Sequence, residues 1–153
     1  MYDTILIPTD GSDVAENAID HAIDLAEQYD ATLHALYVVD TDAIDIGLGT
    51  EQVQRIKEGK FGEMSELKAR ATEATDVVTE RAGDDLEVVQ SIEAGRPHAV
   101  ISEYAEDNDV DLIVMGSAGR GGVRRAILGS VAERTLRTTR IPVLVVDVRE
   151  DDD

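Results

Sequence analysis

Apolar and polar positions alternate along this chain in two rhythms, short continuous apolar runs and longer stretches with helical spacing. Thr4-Ile5-Leu6-Ile7-Pro8 is apolar enough to form a short strand buried on both faces. From Val14 to Tyr29 the apolar residues Val14, Ala15, Ala18, Ile19, Ala22, Ile23 and Ala26 recur every three or four positions, which predicts a helix. Asp13, with Glu16 three residues on, reads as a capping box at its start. Ala31 to Val39 is a second strand, and Met64, Leu67, Ala71, Ala74, Val78 and Ala82 form the stripe of a second helix. Leu86 to Ala94 is a third strand, broken by Gly95-Arg96-Pro97; Pro97 suits the first turn of a helix that runs to about Asp107. Asp111 to Met115, Ser130 to Thr139 and Ile141 to Val148 complete the pattern as strand, helix and strand. Residues 41–62, with four glycines, read as a connection holding at most a short helix.

Strands alternating with helices predict an α/β fold, a doubly wound five-stranded parallel sheet with helices on both faces. The expected strand order is 3-2-1-4-5. One domain over residues 1–149 is expected, with 150–153 as a solvated acidic tail. In open sheets of this kind ligands bind beyond the strand carboxyl ends, where the order reverses. That switch point lies between the first and fourth strands, which end in Pro8-Thr9-Asp10 and in Gly116.

Charge changes the picture next. The 153 residues carry 33 acids against 14 Lys and Arg, a formal net charge of -19, and lysine occurs only at Lys57, Lys60 and Lys68. Such a surface opposes binding to nucleic acid or anionic membranes through bulk electrostatics. Together with few aromatics it points to a salt-loaded cytoplasm, where at about 1 M salt the Debye length is roughly 3 Å. An ordinary acidic protein is the plainer alternative. The absence of cysteine excludes disulfides and thiolate chemistry. No apolar run is long enough to span a bilayer, and MYDTILIPTDGSD does not resemble a secretory leader, so a cytoplasmic protein is expected.

One segment breaks the acidic pattern. Gly116 to Arg140 holds six arginines and a single acid, Glu133, about +5 by count, which leaves about -24 for the rest. Its glycines Gly116, Gly119, Gly121 and Gly122 follow the apolar run Leu112-Ile113-Val114-Met115, and Gly129 precedes Ser130 at a helix start. Glycines let backbone amides approach a ligand, and a helix N-terminus adds unpaired donors with partial positive charge, the combination that favours a phosphate. The alternative is a glycine-rich connection without ligand. Arg120 is the phosphate candidate among the arginines; Arg124 and Arg125 fit a phosphate contact or a surface ion pair. Arg134, Arg137 and Arg140 are expected on the solvated face of the last helix. A Walker-type loop is absent, and His21, His34 and His98 lack metal-ligand spacing.

Gly116-x-x-Gly119, nine residues, then Gly129-Ser130, with IPTDGS near the N-terminus and IPVLVV near the C-terminus, resembles the universal stress protein family, specifically its ATP-binding branch. The resemblance covers essentially all of the chain and is weakest between Thr41 and Lys60. It implies ATP, with or without Mg2+, as the ligand. It places Gly116, Ser117, Ala118, Gly119 and Arg120 along ribose and phosphates, and Gly129, Ser130 and Val131 as donors at the last helix. It sets Pro8, Thr9 and Asp10 along the adenosine and Val38 beside the adenine. Ala118 stands where many members carry a polar residue, often His. Asp10 is equally compatible with turn capping.

Three functions follow: an ATP-binding regulatory or stress-response module, a slow ATPase or autophosphorylating enzyme, and a dimeric interaction protein that needs no nucleotide. The loop brings no lysine and no nearby acid except Asp10, so no catalytic residue is assigned, and little turnover is expected. The apolar strand from Val143 to Val148, expected at a sheet edge, invites a two-fold homodimer.

Overall fold

The computed structural model describes residues 2–10, 13–40, 65–117 and 129–147. Within them strands and helices alternate as β1 (Thr4–Pro8), α1 (Asp13–Tyr29), β2 (Thr32–Asp40), α2 (Ser65–Ala82), β3 (Val88–Gly95), α3 (Pro97–Asp107), β4 (Leu112–Gly116), α4 (Ser130–Thr138) and β5 (Val143–Val146). Every strand pair is parallel, and the order is β3-β2-β1-β4-β5. This is the α/β architecture and the order expected from the apolar pattern, with strand ends displaced by one or two residues. The connection around residues 41–62 and the acidic tail lie outside the described residues.

Strand alternation builds two cores. Ile5, Ile7, Leu33, Ala35, Leu112 and Val114 face one side of the sheet, where Ala18, Ile19, Ala22 and Ala26 of α1 and Val78 of α2 cover them. Leu6, Leu36, Ile113 and Met115 face the other side, packed by Ile101 and Ala105 of α3 and Ala132 of α4. Ile5, Leu6 and Ile7 are completely buried, as a central parallel strand covered on both faces must be. Among the described residues no helix is long and apolar enough to cross a membrane.

Two helix ends are closed by aspartate in the left-handed region. Asp30 follows α1 at φ 56° and Asp109 follows α3 at φ 52°. The next amides reach back, Ala31 to the Ala26 carbonyl at 3.0 Å and Val110 to the Ala105 carbonyl at 2.9 Å, and both Ala31 and Val110 are buried. These are Schellman-type closures with Asp in the position glycine usually takes.

Helix α1 starts at Asp13, whose side chain, the first half of the expected capping box, lies outside the described residues. The Glu16 carboxylate accepts from Arg81 of α2 at 2.8 Å, and Arg81 also donates to Asp20 at 2.8 Å. Arg81 thus ties α2 to α1 through two ion pairs.

The sheet's two edges differ in chemistry. Edge strand β3 carries Gln90, whose side chain donates to Thr75 and Asp76 of α2 at 2.8 Å each, with Ser91 and Glu93 beyond it. Edge strand β5 is wholly apolar, and its Leu144 is 37% exposed.

Candidate functional site

At the carboxyl edge of the sheet, Pro8 acts through what it lacks. β1 pairs with β2 through to Pro8–Leu36, and β4 pairs with β5 through to Gly116–Val146. Between β1 and β4 the pairing stops at Leu6–Ile113. In that register the next donor from β1 to β4 would be the amide of residue 8, and proline has none. The Val114 carbonyl therefore has no donor from β1, and the ladder ends at the position where the strand order reverses. Thr9 continues pairing on the other side, its amide donating to the Leu36 carbonyl at 2.9 Å. Thr9 is 6% exposed, and Asp10 is half-buried just beyond it.

Two helices begin at this edge close to a strand end, α3 just after β3 and α4 where Gly129 bonds to Ser117. The start of α3 requires Gly95, which sits at φ +149°; a Cβ there would lie 2.8 Å from Val100 Cγ2. Pro97 occupies the first turn, as its missing amide and fixed φ favour. The start of α4 has Gly129 as its N-cap, with no side chain to cap the first turn. The Gly129 carbonyl accepts from Glu133 at 2.9 Å and opens the helical ladder. Helix geometry then leaves the amides of Ser130, Val131 and Ala132 without intrahelical acceptors, directed out of the helix start.

The Gly129 amide itself has another role. It donates to the Ser117 carbonyl at 2.6 Å. Ser117 is 8% exposed; its amide donates to the Val146 carbonyl at 2.9 Å and its hydroxyl to Asp147 Oδ1 at 2.7 Å. Asp147 was not singled out by sequence reasoning. It is the first polar residue after the apolar strand β5, and that position alone marks the sheet edge.

The expected site residues thus divide. Pro8, Thr9 and Asp10 follow β1, while Gly116 and Ser117 end β4 across the interrupted ladder. Val38 of β2 and Val131 of α4 are partly buried against one apolar cluster, and Pro8, two residues after Leu6, projects to the same face of the sheet. Ser130 is exposed at the helix start. Ala118, Gly119 and Arg120 lie outside the described residues, as do Arg124 and Arg125. Arg134, Arg137 and Arg140 are exposed, as expected. Asp10, Asp40, Arg96 and Asp147 end or follow their strands at this same edge. Among the described residues, no group of three or more His, Asp or Glu is arranged to hold a metal ion.

Outside this crevice, His34 of β2 shares a 2.7 Å hydrogen bond through Nδ1 with the Tyr104 hydroxyl, which lies 2.9 Å from the Ser91 hydroxyl. Burial pushes the imidazole below its ordinary pKa, and the charge of Glu87 opposes that in part. His21 is exposed.

Comparison with known proteins adds to this geometry. The sequence model of the universal stress protein family matches residues 1–147. Universal stress protein MJ0531 of Methanocaldococcus jannaschii is 41% identical over 148 residues, covering 95% of this chain and 82% of the relative. Universal stress protein MJ0577 of the same organism is 34% identical over 157 residues, covering 95% of each chain. Its solved structure superposes with a TM-score of 0.78 over 99% of both chains at 30% identity. A universal stress protein solved in complex with cAMP matches with a TM-score of 0.66 at 25% identity, covering 95% of this chain and 97% of that one.

Proposed function

The chain belongs to the universal stress protein family, and from that premise we propose that it is an adenine-nucleotide-binding regulatory protein whose ligand is ATP. The observation that carries this reading is the junction at the sheet switch point. There the β1–β4 ladder stops at Pro8 while an uncapped helix start, Gly129-Ser130-Val131, stands beside the end of β4. Backbone amides of Ser130 and Val131, with the field of α4 behind them, favour phosphate oxygens. Pro8, Val38 and Val131 offer an apolar wall on one face of the sheet for the adenine. The universal stress protein solved with cAMP supports an adenine nucleotide as the ligand class.

Arginine supplies the remaining charge in this reading. Arg120, with Gly119 and Ala118, belongs along the phosphates as the family resemblance implies. Any Mg2+ would arrive with the nucleotide, held by phosphates and water, since the described residues form no carboxylate cage. Replacing Gly119 with Val would put methyl groups where phosphate oxygens belong. The expected outcome is loss of the adenine nucleotide that leaves the purified wild-type protein on denaturation, read by mass spectrometry. Nucleotide retained by Gly119→Val at the wild-type level contradicts the phosphate assignment.

The second reading, a slow ATPase or an enzyme phosphorylating itself at Ser130, rests on the exposed hydroxyl of that residue at the helix start. Phosphate release at about one per second or faster would overturn the expectation of little turnover. The chain is also proposed to form a homodimer, cytoplasmic and adapted to high salt, through the apolar edge of β5.

A further inference from the structure

Ser117 is a meeting point for segments far apart in sequence. Its amide is held by the Val146 carbonyl, its carbonyl by the Gly129 amide, and its hydroxyl by Asp147, at 2.9, 2.6 and 2.7 Å. Asp147 is anchored in turn by Asn17 of α1, whose side-chain amide donates to the Asp147 carbonyl at 2.9 Å. The bond between Gly129 and Ser117 joins the start of α4 to the end of β4. The residue accepting that bond is held from behind by a carboxylate.

A hydroxyl donating to a carboxylate at this distance makes a charge-assisted bond, stronger than a neutral one. A serine has one hydroxyl hydrogen, and here Asp147 accepts it, so it is not also donated to a phosphate oxygen. The side chain of Ser117 therefore acts on the ligand through the backbone it orients. Two effects of Asp147 oppose each other. Its negative charge disfavours a nearby phosphate, while its grip on Ser117 holds Gly129 and the amides at the start of α4 ready for that phosphate. Asp147 is exposed, where water and salt screen its charge, whereas the bond it makes to Ser117 is short and directed. The grip prevails over the repulsion.

We propose that Asp147 is a positioning residue for phosphate recognition: by holding Ser117 it fixes Gly129, and with it the start of α4, against the end of β4. The proposal rests on the adenine-nucleotide reading and adds a residue to it. It distinguishes ligands by their phosphates, since adenosine offers none to the start of α4.

Equilibrium dialysis of the full chain against ATP and against adenosine tests it. Asp147→Ala should weaken ATP binding about tenfold, the effect of 1.4 kcal/mol, and leave adenosine within twofold of wild type. Asp147→Asn keeps an oxygen acceptor for Ser117 and drops the charge, so it should hold ATP at least as tightly as wild type. Ser117→Ala should lose as much as Asp147→Ala, and the double variant should lose no more than either, because both remove one bond. Equal ATP affinity in wild type and Asp147→Ala overturns the proposal. So do additive losses in the double variant, tighter ATP binding by Asp147→Ala, or equal losses for ATP and adenosine. These outcomes leave the nucleotide reading intact; a wild-type chain that binds neither ligand ends both.

Discussion

Pro8 shows how one residue shapes a site by omission: lacking an amide, it stops the ladder at the point where strand order reverses. The sequence placed Pro8, Thr9 and Asp10 at the switch point, because an apolar run followed by turn chemistry is readable by period alone. It did not reveal that the Gly129 amide is engaged by Ser117, nor that Ser117 is held by Asp147. Those bonds join residues 12 and 30 positions apart, and no local pattern encodes them. His34 offers a test at the same scale. Burial lowers its folded pKa below the unfolded value near 6.5, so the folded state favours the neutral ring. Its contribution to stability is therefore complete above the unfolded pKa and is lost as pH falls through the folded one. Urea titrations between pH 5 and 7 should show wild type losing more stability on acidification than His34→Gln. Parallel slopes for the two proteins would contradict this account of the ring.

At the scale of elements, the strands and helices were legible and their junctions were not. Apolar runs and helical stripes gave β1 to β5 and α1 to α4 within one or two residues, since burial dictates period. Arg81 of α2, 61 residues from Asp20, pairs with two acids of α1, a junction that no local spacing encodes. Gly95 was read as a strand breaker; the structure shows why no other residue fits, at φ +149° and under the Val100 side chain. Gly95→Ala combines a strained backbone with a contact that must shift, and should destabilise the fold by about 1–3 kcal/mol. A thermal midpoint unchanged from wild type would show that β3 and α3 can meet in another conformation.

For the molecule as a whole, charge and edges set the behaviour. A net charge of -19 repels anions at long range, so an anion site must depend on donors at short range. Amides at the start of α4 and the arginines of residues 116–140 fit that requirement, and the latter was readable from composition. The contrast between a polar β3 edge and an apolar β5 edge supports self-association through β5. Light scattering at about 1 M salt, where the Debye length is roughly 3 Å, should give a dimer for wild type and a smaller species for Leu144→Lys. A monomeric wild type would rule that interface out. The central claim, that this acidic chain carries a short-range site for an adenine nucleotide, is reached most directly by calorimetry. Titrating ATP into the full chain at the same salt should give saturable heat for a single site per chain. No heat, together with no change in thermal midpoint at saturating ATP, would contradict it.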